Sequence, residues 1–172
     1  MSFLLIKAFE DLLKDGFSDA KFRKSDKEPG EYCSPEFFIG ALPPKEKGNN
    51  PVYTEQSEYP FILNRFKVGV DDEDDSTVTI HTVCGSFTAG DIESGENDVV
   101  NMVMRCRRLI LERQMLEKRF ELVLPLKWHV GDKEDLNRQA HPYYTGELFT
   151  TWRLPAIART LLLEEEKKVY GA

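Results

Sequence analysis

Residues 119–130 alternate between apolar and polar side chains. Phe120, Leu122, Leu124, Leu126, Trp128 and Val130 share one parity, and Glu121, Lys127 and His129 share the other. A two-residue period of this length predicts a β-strand with one face toward a core. One amphipathic strand has nothing to bury that face against, so the chain needs a sheet and a second layer to cover it. Pro125 falls on the opposite parity and has no N–H to give a ladder, which predicts a sheet edge or a bulge there.

The covering layer is written just upstream. Val99, Val103, Cys106 and Ile110 recur at helical spacing, and Met102 and Leu109 widen the stripe, so a helix is expected over 96–117. Ser94 and Asn97 are candidate caps. Glu96 and Asp98 sit at its positive end, with Arg105, Arg107, Arg108 and Arg113 toward the negative end. At about 1.5 Å per residue such a helix is about 30 Å long, enough to cross a sheet. A second helix is expected over 2–17, where Phe3, Ile6, Leu12, Leu13 and Phe17 form a broad apolar face, Ser2 can cap and Gly16 lies near the end. Lys7, Glu10, Asp11 and Lys14 interrupt that face at helical spacing, which fits an amphipathic helix and not a signal peptide.

Two more β runs, 61–70 and 76–87, flank the acidic stretch 71–75 and read as a hairpin. In the first, Phe61, Leu63 and Arg65 are expected on one face, with Ile62, Phe66, Val68 and Val70 on the other. A last strand is expected over 145–154, after a turn region at 90–95 and a polar linker at 131–144. Residues 19–59 are punctuated by proline and glycine and read as an irregular extended segment, with one apolar island at 37–42 that could be a short strand. Residues 156–172, with Leu161, Leu162 and Leu163 before a charged run, read as a C-terminal tail helix. The whole, 1–172, is expected to be a single domain of α+β class: a mainly antiparallel sheet with the two main helices packed on one face.

Composition narrows the function classes. The formal net charge is -7, and this field opposes phosphate backbones, so no specific nucleic acid is expected as a partner. No apolar run is long enough to span a membrane. Cys33, Cys84 and Cys106 are an odd number, widely spaced, with no C-x-x-C pair, so free thiols are expected and neither a zinc site nor a disulfide framework. His81, His129 and His141 sit in separate elements without an H-E-x-x-H pattern. Residues 85–90 hold two glycines and two hydroxyls before a helix but no phosphate-binding lysine, and read as a turn. The acidic stretch lacks the spaced ligands of a calcium loop and reads as a solvated hairpin tip. The four arginines are better read as a solvated or intersubunit face than as a nucleic-acid patch. No catalytic, cofactor-binding or metal-binding set emerges, so a non-enzymatic, protein-binding role without cofactors is expected.

Residues 60–155 carry a pattern that resembles tail proteins of bacteriophages and prophages of Gram-positive hosts. The resemblance lies in Pro60-Phe61-Ile62-Leu63, the acidic hairpin, Ser76-Thr77-Val78-Thr79-Ile80, Cys84-Gly85-Ser86-Phe87 and Asp98-Val99-Val100-Asn101 with Arg105. It continues through Leu124-Pro125-Leu126-Lys127-Trp128, Pro142-Tyr143-Tyr144-Thr145-Gly146-Glu147 and Thr150-Thr151-Trp152-Arg153-Leu154-Pro155. The element order is similar to that of tail terminator, or tail completion, proteins. The resemblance implies a virion assembly protein whose copies form a ring, a hexamer in the virion, that caps the tail tube and contacts the head–tail connector. It implies the host cytoplasm during assembly and then the virion tail as locations. Segments outside the central sheet, 19–59 and the tail, are the expected arms joining subunits. Another prophage structural or baseplate component, or a small hydrolase using His81, His129 or a cysteine, are the alternatives.

Overall fold

The computed structural model describes residues 2–24, 31–43, 59–72, 75–88, 92–131 and 142–155. The chain opens with helix α1 (Ser2–Gly16), followed by the short strands β1 (Phe22–Arg23), β2 (Tyr32–Cys33) and β3 (Glu36–Ile39). Then come β4 (Phe61–Asp71), β5 (Ser76–Phe87), helix α2 (Ile92–Arg113), β6 (Met115–Leu116), β7 (Phe120–Val130) and β8 (Tyr143–Arg153). Strands β1 and β2 pair with each other, and the rest form one six-stranded sheet in the order β3-β4-β5-β8-β7-β6. All its pairings are antiparallel except β3 with β4, which is parallel. The fold is α+β, with a mostly antiparallel sheet.

Both helices cover the same sheet face. Ile80, Cys84, Leu148 and Trp152 on the strands pack with Phe9 and Leu13 of α1 and with Val99, Val103, Cys106 and Ile110 of α2. Trp152 is fully buried and meets Phe9 edge to face, ring centres 5.9 Å apart. Fully burying an aromatic or aliphatic side chain of this kind is worth about 1.5–3 kcal/mol. Gly146 lets α2 descend onto β8: a Cβ there would stand 2.6 Å from Val103 and 2.8 Å from Val99.

Several boundaries and faces differ from the sequence reading. Helix α2 begins within the expected turn region. Gly95 is a helical residue whose missing side chain leaves room for the Tyr144 ring and for Thr88, so it marks close packing and not a turn. The helix ends at Arg113, because Gln114 turns to φ 48° and Glu117 and Lys118 form a left-handed turn, φ 50° and 55°, that reverses the chain into β7. The irregular segment 19–59 contributes β3 to the sheet, on the apolar island.

The clean alternation of β7 also breaks. Val123 pairs with Thr151 and Lys127 with Phe149, so residues 124–126 bulge against Thr150 alone. Phe120 and Leu122 are buried and Leu126 and Val130 pack against the core, as the alternation predicted, but Leu124 is 62% exposed and Trp128 46% exposed, so the expected face is covered only in part. The bulge falls on Pro125, where the missing N–H predicted an edge or a bulge. In β4 the register shifts between Phe66 and Val68. Phe66 stays opposite Ile80 on the helix side, whereas Val68 and Val70 move opposite Thr79 and Thr77 on the other face, against expectation. The C-terminal tail at 156–172 lies outside the described residues.

Candidate functional site

The face of the sheet turned away from the helices brings titratable side chains of several strands together. The odd-numbered positions of β5 and β8 point there. The register sets Arg65, His81, Phe149 and Lys127 in one row across β4, β5, β8 and β7, and Leu63, Val83, Glu147 and His129 in the next. His81 and His129 both lie on this face, His129 with the polar parity of its strand, yet His81 is only 3% exposed.

Glu147 ties the two histidines together. Its Oε2 stands 3.0 Å from His81 Nε2 and 3.4 Å from His129 Nε2. The closer contact is electrostatic, because His81 Nε2 has no aligned hydrogen-bond acceptor among the described residues. Arg65 Nε donates to His81 Nδ1 at 3.2 Å, which makes Nδ1 the acceptor and puts the proton of the neutral ring on Nε2, beside the carboxylate but not aligned with it. Phe149 lies between the imidazoles, stacked on His81 at 4.5 Å and 8° and on His129 at 6.0 Å and 12°. Burial pushes the His81 pKa below its ordinary value. Arg65 and Lys67 push the same way and Glu147 opposes them, so the ring is neutral at neutral pH.

Chemically the cluster can exchange a proton with solution and change charge with pH. Both imidazoles converge on one carboxylate oxygen, so that atom occupies the point a shared ligand would need. Among the described residues no group of three His, Cys, Asp or Glu is arranged to hold a metal ion.

At the end of the same face, Tyr59, Phe61, Phe87 and Tyr143 form an aromatic patch. Tyr59 lies 5.1 Å from Phe61 and 5.8 Å from Tyr143, and Phe87 lies 5.2 Å from Tyr143.

The other sequence candidates are dispersed. Cys84 and Cys106 are buried neighbours on the helix side, with the sheet between them and the imidazoles; burial pushes the Cys106 thiol well up. Cys33 is half-buried in β2, and burial raises its thiol too. Arg105 does not join a basic patch: its Nε donates to the Gly16 carbonyl at 2.7 Å, it pairs with Asp19, and it lies 5.4 Å over the Phe17 ring. It thus caps the end of α1. Arg107, Arg108 and Arg113 are exposed, with Glu112 3.9 Å from Arg108.

In the acidic stretch, Asp71 bonds Ser76, and Asp75 accepts from Arg153 Nε at 2.9 Å. Of the segment read as a turn, residues 85–87 belong to β5. His141, Glu73, Asp74, Ala89 and Gly90 lie outside the described residues. Sequence reasoning missed Arg65, Glu147 and Phe149 as partners of the histidines. The parity of Glu147 and Phe149 in their strand was visible, but their pairing with both β5 and β7 was not.

No helix among the described residues is long and apolar enough to cross a membrane. No protein-family model matches this chain, and no curated protein matches it. What the fold and the cluster define is a class: an α+β chain with a two-helix layer on one sheet face and a His–Glu–His cluster on the other.

Proposed function

We propose that this chain is a phage or prophage virion assembly protein, a tail terminator or tail completion protein. In this reading it acts by protein–protein binding and not by catalysis: copies form a ring, a hexamer in the virion, that caps the tail tube and meets the head–tail connector. One observation carries the reading. The segments that resemble phage tail proteins are scattered over the sequence but adjacent in space. Phe61 and Ile62 pair with Gly85 and Cys84, which pair in turn with Thr145 and Gly146. Val99 of α2 lies over Gly146. Segments that pack into one unit are what a shared subunit fold would retain, and the tail role itself comes from the resemblance.

The charge supports the same reading. A net charge of -7 suits a subunit lining a DNA passage, since it repels phosphates and lets a duplex slide. The protein then belongs to the host cytoplasm during assembly and to the virion tail afterwards. Another prophage structural or baseplate component would share the subunit fold. The meeting of His81 and His129 at Glu147 favours the hydrolase alternative more than the sequence did, but the Cys84 and Cys106 thiols lie on the opposite face and Cys33 belongs to the separate β1–β2 pair.

The test is genetic and biochemical. In a phage lacking this gene, tails are expected to grow to irregular length or to fail to join heads, and added purified protein should restore joining. Tails of normal length that attach normally without it exclude the terminator role.

A further inference from the structure

The sheet has two edges that the described residues leave largely uncovered. On one side β3 pairs with β4 only from Phe61 to Asn64, so residues 65–71 of β4 form the edge. On the other, β6 pairs with Phe120 and Glu121 of β7, and the Leu122 N–H is taken by the Gln114 carbonyl, so residues 123–130 form the edge. Both edges expose large apolar side chains: Phe66 at 39%, Val68 at 52% and Val70 at 56% on β4, and Leu124 and Trp128 on β7. An edge that offers backbone N–H and C=O groups together with apolar side chains is a template for adding a strand.

We infer that these two edges are the two halves of one contact between copies of this chain, β4 of one copy adding beside β7 of the next. It rests on the self-assembly part of the function proposed above and replaces the arms expected from sequence with the sheet itself. The occupant follows from the topology. Directions alternate along β4-β5-β8-β7, so β7 runs antiparallel to β4. A second copy set beside the first with its strand direction kept therefore meets it as an antiparallel pair, with the ladder on the β7 side interrupted at the Pro125 bulge.

The lane beside β4 is also bounded. β3 ends at Ile39 opposite Asn64, so an incoming strand fits only along 65–71. That stretch is similar in length to the exposed stretch of β7. Phe66 and Trp128 both lie on the helix side of their strands, opposite Ile80 and Leu148, and one contact covers both. A two-fold contact of β4 with β4 would leave Leu124 and Trp128 uncovered. Because the two edges differ, each contact leaves one of each free at the ends, and repetition closes a ring when the rotation allows.

The experiment uses the full chain and two edge-blocked variants, Val68→Lys with Val70→Lys on β4, and Leu124→Lys with Trp128→Thr on β7. All four positions are exposed, and circular dichroism melts verify that each variant is folded. Val68→Ile with Val70→Ile is the conservative control. Sedimentation velocity over a concentration series is expected to show association of the wild type and of the control. Each blocked variant should be monomeric alone, and an equimolar mixture of the two should form a heterodimer and stop there, because each still carries one good edge.

A wild type that stays monomeric throughout overturns the inference, since the chain's own segments then close the edges. Blocked variants that associate like the wild type place the contact elsewhere and also overturn it. A β7 variant that dimerises alone while the β4 variant does not would substitute a two-fold contact. The tail role fails separately: edge-dependent association in a phage whose tails are normal without the protein keeps the contact and removes the role.

Discussion

His81 Nε2 stands 3.0 Å from the Glu147 carboxylate, although the strand register sets Glu147 opposite His129, which is 3.4 Å away. Glu147 thus spends its charge diagonally on a buried imidazole as well as on its direct cross-strand neighbour. A diagonal contact of this kind is within reach of long side chains on one sheet face.

That arrangement gives stability a pH dependence with a definite sign. Burial, then Arg65, hold the folded-state pKa of His81 below its ordinary value of 6.5. The unfolded chain therefore takes up a proton at higher pH than the folded chain does. This group's contribution is complete above the ordinary value and is lost as pH falls from there through the depressed folded pKa. Melting temperatures followed from about pH 8 to pH 5 should decline in that window, and His81→Gln should flatten the decline. Glu147→Gln should move the His81 titration lower still, because the carboxylate opposes the depression; NMR titration of the imidazole reads this directly. An unchanged or raised titration would refute the assigned role of Glu147.

Packing of α2 on β8 is intolerant of added volume or charge. Gly146→Ala should cost about 1–3 kcal/mol, because its Cβ would press on Val103 and Val99. Val103→Asp should cost more than about 3 kcal/mol, since it buries an unpaired carboxylate. Urea unfolding curves for the two variants measure both, and wild-type midpoints would count against this interface.

Arg105 is expected to behave unlike the arginines beside it. Arg105→Ala removes a hydrogen bond to the last turn of α1 and a cation over Phe17, for a loss of about 1–2 kcal/mol. Arg107→Ala, on an exposed position, should stay within about 0.5 kcal/mol of the wild type. Equal losses in chemical denaturation would argue for a shared function of the group.

The acidic hairpin is expected to be structural. Asp75→Ala should cost only about 0.2–1 kcal/mol, as its pair with Arg153 is half exposed. Exchanging residues 72–75 for Asn-Gly should leave the fold intact, because Asp71 pairs with Ser76 and that dipeptide suits a two-residue hairpin between them. Calorimetric titration with calcium at physiological salt should show no tight binding; micromolar affinity would overturn the reading.

Local periodicity by itself determined the helices, the four long strands and the class. Apolar residues at helical spacing bury a stripe, and alternating ones bury a face, whatever the rest of the chain does. The position of Pro125 likewise announced a break in the ladder, because a missing N–H is a local fact. Tertiary structure decided what depends on neighbours. Residues 114–117 have good helix formers and no glycine or proline, yet the chain reverses there so that Phe120 can enter the core strand. Gly95 and Gly146 read as turn residues or as neutral, and only the approach of Tyr144 and of α2 gives them a reason. The register shift in β4 moved Val68 and Val70 off the expected face, and the bulge at Pro125 left Leu124 exposed, since register is a property of two strands and not of one. For the same reason His81, His129 and Glu147 could be named but not joined: their meeting depends on β8 lying between β5 and β7, an order that no single strand encodes.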